Sequence, residues 1–138
     1  MEKQLKIVVA DDSSQLGENC AKTFKAYGMD VSVCPKDGQK LLEKVKREHP
    51  DIVLADVFMP NLDIIGVIKN INENESKEKP MIMAMSSFDS QRLEKELIDA
   101  GVDYYFLKPF DVNVMAQRII QISGWKNEKA PLVVKDSV

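Results

Sequence analysis

The chain has 138 residues, of which 44% are hydrophobic and 30% charged, and its net charge is −3; this is the composition of one globular domain with a single core. That charge offers no wholesale attraction to nucleic acid or to an anionic lipid surface. No apolar run approaches the ~20 residues that span a bilayer, and MEKQLK leads into a strand-like run without the apolar core of a targeting segment, so a cytoplasmic protein is expected.

In chain order, the first strand is read over Leu5–Ala10 and ends on two adjacent carboxylates, Asp11 and Asp12. Leu16, Cys20, Phe24 and Tyr27 then fall on one helical stripe, with Gly28 where a C-terminal cap is wanted. A short strand over Asp30–Val33 leads to a second stripe, Leu41, Leu42 and Val45, closed by His49 and Pro50. The third strand, Ile52–Asp56, again ends on a carboxylate, and Ile64, Ile65, Ile68 and Ile71 make the helix after it, before the solvated NENESKEK loop. Met81–Ser86 is the fourth strand, its methionines at period two suiting core packing. Leu93, Leu97 and Ile98 mark a helix ended by Gly101, and Asp103–Leu107 is the fifth strand. Val112, Met115, Ile119 and Ile122 make the last helix, with Asp111 as its N-cap and Trp125 pinning its end. The division expected is a domain over 1–125 and a polar tail over 126–138. The two cysteines, Cys20 and Cys34, make neither a disulfide framework nor a metal motif.

Most of these strands are continuous apolar runs, which marks strands covered on both faces. Five such strands alternating with five helices predict an α/β fold: a five-stranded parallel sheet in the flavodoxin-like order 2-1-3-4-5, with right-handed crossovers and helices on both faces. Strand 1 then lies beside strand 3, and ligands in such sheets bind outside the carboxyl ends of the strands at that switch point.

In that order Asp11 and Asp12 after strand 1, Asp56 at the end of strand 3, Ser86 at the end of strand 4 and Lys108 after strand 5 all face one crevice. Taken singly each has a plain explanation, as a helix first turn, a strand-end turn or a surface residue. Core packing has no reason to deliver a polar group at four strand ends together. Close carboxylates repel unless a hard cation offsets them, and Mg²⁺, with its preference for oxygen ligands, retained waters and a phosphate oxygen, suits the set; Mn²⁺ or Ca²⁺ would also fit. Lys108 and the Ser86 hydroxyl suit the oxygens of a tetrahedral anion. The combination describes a phosphoryl-transfer site with Asp56 as nucleophile, forming an acyl phosphate.

These residues resemble the receiver domain of two-component response regulators, the CheY-like family, over about residues 5 to 125. The resemblance rests on Asp11-Asp12, DVFMP around Asp56, Ser86, and KPF at Lys108-Pro109-Phe110. It implies that Asp56 takes a phosphoryl group from a phosphohistidine on a histidine kinase or phosphotransferase. It further implies direct metal ligation by Asp12 and Asp56, ligation by Asp11 mainly through water, and a ligand from the backbone carbonyl of Phe58. Lys108 would pair with the phosphoryl group, and the Lys108-Pro109 bond would be cis. Ser86 would move toward the phosphoryl group and Tyr105 would rotate inward, altering the face of helix 4, strand 5 and helix 5 so that a homodimer forms on phosphorylation. DNA would be reached only through a C-terminal effector domain absent from these residues, and no membrane is involved. PFD after the lysine, MSSF and the overall spacing are similar to the sporulation-initiating regulators of endospore-forming bacteria. Phe58 and Phe88, each two positions beyond a site residue, would flank the approach of hydrolytic water and slow loss of the phosphoryl group. Ile64 stands where most receivers carry a glycine.

Three other classes are separable. A haloacid-dehalogenase-like phosphatase wants its nucleophile in an Asp-x-Asp motif after strand 1, and would carry the acyl phosphate on Asp11. A pseudo-receiver acting only as an interaction module would lack an essential phosphoacceptor position, and none is missing. A flavodoxin would show a Ser/Thr/Gly-rich phosphate loop after strand 1.

Overall fold

A computed structural model describes residues 4–11, 14–73, 79–108, 111–126 and 135–137. Strands β1 (Lys6–Ala10), β2 (Asp30–Cys34), β3 (Ile52–Asp56), β4 (Met81–Ser86) and β5 (Tyr104–Leu107) alternate with helices α1 (Ser14–Ala26), α2 (Gly38–Glu48), α3 (Ile64–Glu73), α4 (Gln91–Ala100) and α5 (Val112–Lys126). The strands pair in parallel in the order β2-β1-β3-β4-β5, as the alternation of apolar runs and stripes predicts.

Period two within the strands divides the core between the two faces of the sheet. Val8, Ala10, Val53, Ala55, Ile82 and Ala84 face Leu41, Val45, Ile64, Ile68 and Leu97 from α2, α3 and α4. Ile7, Val9, Ile52, Leu54, Met83 and Met85 face Cys20, Phe24, Met115 and Ile119 from α1 and α5. β1, β3, β4 and β5 are therefore apolar on both sides, which is why the sequence shows runs rather than alternation there.

Helix ends follow local chemistry. The Asp37 carboxylate accepts from the Gln39 and Lys40 amides at the start of α2, and the Ser90 hydroxyl from the Leu93 amide at the start of α4. Asp111 accepts from the Asn113 and Val114 amides at α5, as expected of a cap. His49 ends α2 in the left-handed region at φ 50°, its amide donating to the Val45 carbonyl. At the amino end of the sheet, the Asp51 side chain accepts the Lys6 amide and that of Asp103 the Ile82 amide, so both carboxylates serve backbone groups between strands.

Three features depart from the sequence reading. A sixth strand, β6 (Lys135–Ser137), pairs in parallel with β5, setting Tyr105 opposite Lys135 and Leu107 opposite Ser137, so part of the expected tail extends the sheet. An edge strand presents unpaired ladder groups that any extended segment can satisfy, and a segment recruited in this way needs no apolar pattern. Tyr27 and Ile98, placed on apolar stripes, are exposed; each sits at or near a helix end where the stripe turns away from the sheet. The tight turn before α3, where Ile64 replaces a glycine, places its positive φ on Asn61 instead (69°). Ile64 is thereby free to be a buried core residue, and the Asp63 side chain accepts the Gly66 amide. Trp125's side chain lies outside what is described. Among the described residues no helix is long and apolar enough to cross a membrane.

Candidate functional site

The carboxyl ends of β1, β3, β4 and β5 lie side by side, and each strand carries its polar residue to that end because the apolar run stops there. Asp11 and Asp56 are both buried, at 5% and 6% exposure. Between them sits the Lys108 ammonium, donating to Asp11 Oδ2 at 2.8 Å and to Asp56 Oδ2 at 2.7 Å. One ammonium thus holds two carboxylates that precede it by 97 and 52 residues in sequence. Burial by itself would lower the Lys108 pKa. The hydrogen bonds to Asp11 and Asp56, with their negative charge, outweigh that effect and raise it.

Asp56 has a second, separate set of partners on its other oxygen. Oδ1 accepts the Phe58 amide at 2.9 Å and faces the Lys36 ammonium at 3.8 Å. Lys36 follows β2, the one neighbouring strand whose end the sequence reading left out. The signal for it was the strand order itself, which places the loop after β2 beside β1 and within reach of a long side chain from β3.

The Ser86 hydroxyl is buried at the end of β4 and accepts the Phe88 amide at 2.9 Å; its hydrogen bond is therefore made within its own loop. The Phe58 and Phe88 rings, both exposed, meet edge to face with centroids 5.5 Å apart. Tyr105 does not start from an outward position. Its ring is 1% exposed among the core residues of the α2–α4 side, and its hydroxyl donates to the Phe88 carbonyl at 2.6 Å. Strand alternation points residue 105 to that face, and the Phe88 carbonyl satisfies the one polar atom carried inside. Tyr104 and Phe106 point to the opposite face and fill its core, ring to ring at 4.6 Å.

Asp12, Pro109 and Phe110 lie outside the described residues. Among the described residues no three His, Cys, Asp or Glu side chains gather as a metal site. The donor chemistry nonetheless fits a hard divalent ion: two buried carboxylates at neighbouring strand ends, both within reach of one ammonium. Cys20, on the α1 side, takes no part in such chemistry. Burial, helped by Asp11, pushes its thiol up to about 12, and burial pushes Cys34 up to about 11. Neither forms the reactive thiolate near neutral pH.

Comparison with known proteins follows the same outline. The chain matches the family model described as "Response regulator receiver domain" over residues 7–120. Among solved structures it is similar to the receiver domain of the Francisella response regulator 1452, at 25% identity and a TM-score of 0.78, covering 89% of this chain and 99% of that one. It shares the fold of the chemotaxis response regulator CheY4 of Vibrio cholerae, at 21% identity and a TM-score of 0.78, covering 88% and 99%. It also shares the fold of a LuxR-family DNA-binding response regulator from Staphylococcus aureus, at 17% identity and a TM-score of 0.77, covering 86% and 98%.

Proposed function

The chain belongs to the response regulator receiver domain family, and on that premise we propose that it is a working phosphoacceptor whose Asp56 takes a phosphoryl group in the presence of Mg²⁺. The observation that carries this reading is the Lys108 ammonium joining Asp11 and Asp56. A nucleophilic carboxylate, a neighbouring carboxylate for a cation and a fixed ammonium for phosphoryl oxygens are the parts that in-line transfer to an aspartate requires.

Each residue then has a task. Asp56 Oδ2 or Oδ1 attacks phosphorus and the donor's nitrogen or oxygen leaves with its electron pair. Lys108 stays beside Asp56 and binds an oxygen of the transferred group. Asp11, Asp12, Asp56 and the Phe58 carbonyl would hold Mg²⁺, which supplies charge neutralisation at the phosphoryl oxygens. The Ser86 hydroxyl would turn from the Phe88 amide toward a phosphoryl oxygen. Turning releases the Phe88 amide, and Phe88 is also the residue whose carbonyl holds Tyr105. Ser86 and Tyr105 therefore form the switch, through which the face of α4, β5 and α5 is altered and a homodimer favoured.

Phosphohistidine on a kinase or phosphotransferase is the donor class, and the cytoplasm the compartment. Within the family, PFD, MSSF and the spacing resemble stage zero sporulation protein A, which supports an output in transcription at the onset of sporulation through a DNA-binding domain beyond this chain. A stand-alone receiver or phosphorelay intermediate is the competing output, distinguished by whether residues beyond 138 encode such a domain.

The test is incubation with MgCl₂ and acetyl phosphate followed by intact mass and size-exclusion chromatography. The parent should gain one phosphoryl mass and shift toward dimer, and Asp56→Asn should do neither. A parent that stays unmodified with acetyl phosphate and monomeric with beryllofluoride would refute the reading.

A further inference from the structure

We infer that Lys36 is a second anion-binding group of the Asp56 site, an ammonium that contacts the phosphoryl group from the side opposite Lys108 and disfavours the metal when no phosphoryl group is present. The inference rests on the phosphoacceptor reading and adds to it a residue with two opposite effects.

The geometry is asymmetric and complementary. Lys108 occupies Asp56 Oδ2, while Lys36 faces Oδ1 at 3.8 Å, beyond direct hydrogen-bond contact yet close enough for one bond rotation to bring Nζ onto an oxygen carried by Asp56. Its side chain is 23% exposed, so most of its surface is covered by the protein.

The loop that bears Lys36 is also held in place. The Gly38 amide donates to the Pro60 carbonyl, and the Asn61 side-chain amide donates to the Asp37 carboxylate at 2.6 Å. A Cβ on Gly38 would stand 1.6 Å from the Leu62 carbonyl oxygen, so only glycine lets the two loops approach this closely. The loop after β2 is thereby clamped to the loop that follows Asp56, and Lys36 is presented to the site by a backbone fixed at Asp37 and Gly38, the next two residues.

The electrostatic consequence has a definite sign. Among the described residues the notch holds two carboxylates, Asp11 and Asp56, against two ammoniums, Lys108 and Lys36. A divalent cation entering that notch meets Lys36 as a like charge. A phosphoryl group, which brings about −1.5 to −2 charge, meets it as a counterion. Removing the charge should help the first and harm the second. A residue with a merely structural role would move both affinities together, or neither.

The experiment uses the full chain and calorimetric titration with two probes: MgCl₂ alone, then beryllofluoride at saturating Mg²⁺. Lys36→Met, which keeps the stem, should bind Mg²⁺ about fivefold more tightly and beryllofluoride at least about fivefold more weakly, the size of one solvent-screened unit charge at about 4 Å. Lys36→Arg should restore both values, and both differences should shrink in high salt. Affinities that are unchanged in Lys36→Met, or that move in the same direction, overturn the inference. If the parent binds beryllofluoride and Lys36→Met does so equally, the phosphoacceptor reading stands without Lys36. If the parent binds none, the phosphoacceptor reading fails first.

Discussion

Phe88 joins three other residues of this site. Its amide donates to Ser86, its carbonyl accepts from Tyr105 and its ring rests on Phe58, whose own amide donates to Asp56. On the proposed function the two rings would be an apolar cover beside a bond that water must reach in order to cleave. Phe88→Ala should therefore release the phosphoryl group several-fold faster than the parent, measured as decay of the phosphorylated mass after the donor is removed. Equal lifetimes would show that the cover does not limit water. The side-chain charges at Asp11, Asp56 and Lys108 were legible in the sequence because an apolar run that stops on a polar residue marks a strand end, and strand order brings those ends together. Lys36 was not legible in the same way, since it lies two residues beyond a short, half-exposed strand and looks like any loop lysine. Nor was the inward position of Tyr105, which depends on which face residue 105 meets and on one carbonyl in a neighbouring loop.

At the scale of elements, the two ends of the sheet do different work with the same residue types. At the carboxyl end the aspartates face one another and a lysine. At the amino end Asp51 and Asp103 serve strand amides, and Glu48 at the end of α2 collects cations and a hydroxyl from three elements. It accepts from Ser32 at 2.9 Å and pairs with Lys44 at 2.8 Å and Lys6 at 3.5 Å. The Lys44 hydrogen bond leads, against a smaller cost of burial and with help from Ser32, in lowering the Glu48 pKa from 4.5 to about 2. A carboxylate depressed in the folded state stabilises the fold above its unfolded value and loses that contribution as pH falls through its folded value. Glu48→Gln should thus be less stable than the parent at pH 7, by about 1 kcal/mol after allowing for solvent screening. The two should converge as pH drops from 4.5 toward 2, followed by urea unfolding across that range. A difference that persists at the acid end would mean packing, not charge, sets the effect. Helix stripes were readable wherever a helix lies against the sheet along its length, as at Leu41, Leu42 and Val45. They misled at Tyr27 and Ile98, because periodicity does not report where a helix leaves the surface it covers.

For the whole molecule, the core on both faces of the sheet is complete between Ile7 and Ile122, and β6 adds only three residues of backbone pairing to the β5 edge. A chain ending at Lys126 should therefore stay folded with a small loss in thermal midpoint. With the β5 edge uncovered it should self-associate more than the parent in sedimentation velocity. Unfolding on truncation would show that the last strand belongs to the core, and unchanged association would show that it does not guard the edge. Parallel order and two-sided burial were readable from the spacing of the first five strands, since parallel neighbours need crossovers of a dozen residues or more. The sixth strand follows no such rule, because it joins an existing edge and brings little apolar surface of its own.

On the proposed function Asp56, held by Lys108 beside Asp11, is the residue that carries the phosphoryl group. Borohydride reduction of acetyl-phosphate-treated protein, followed by peptide mapping, locates an acyl phosphate directly. Reduction confined to Asp56 is the predicted result. Reduction at Asp11, the position a phosphatase of the haloacid-dehalogenase type would use, or at neither residue would contradict the account.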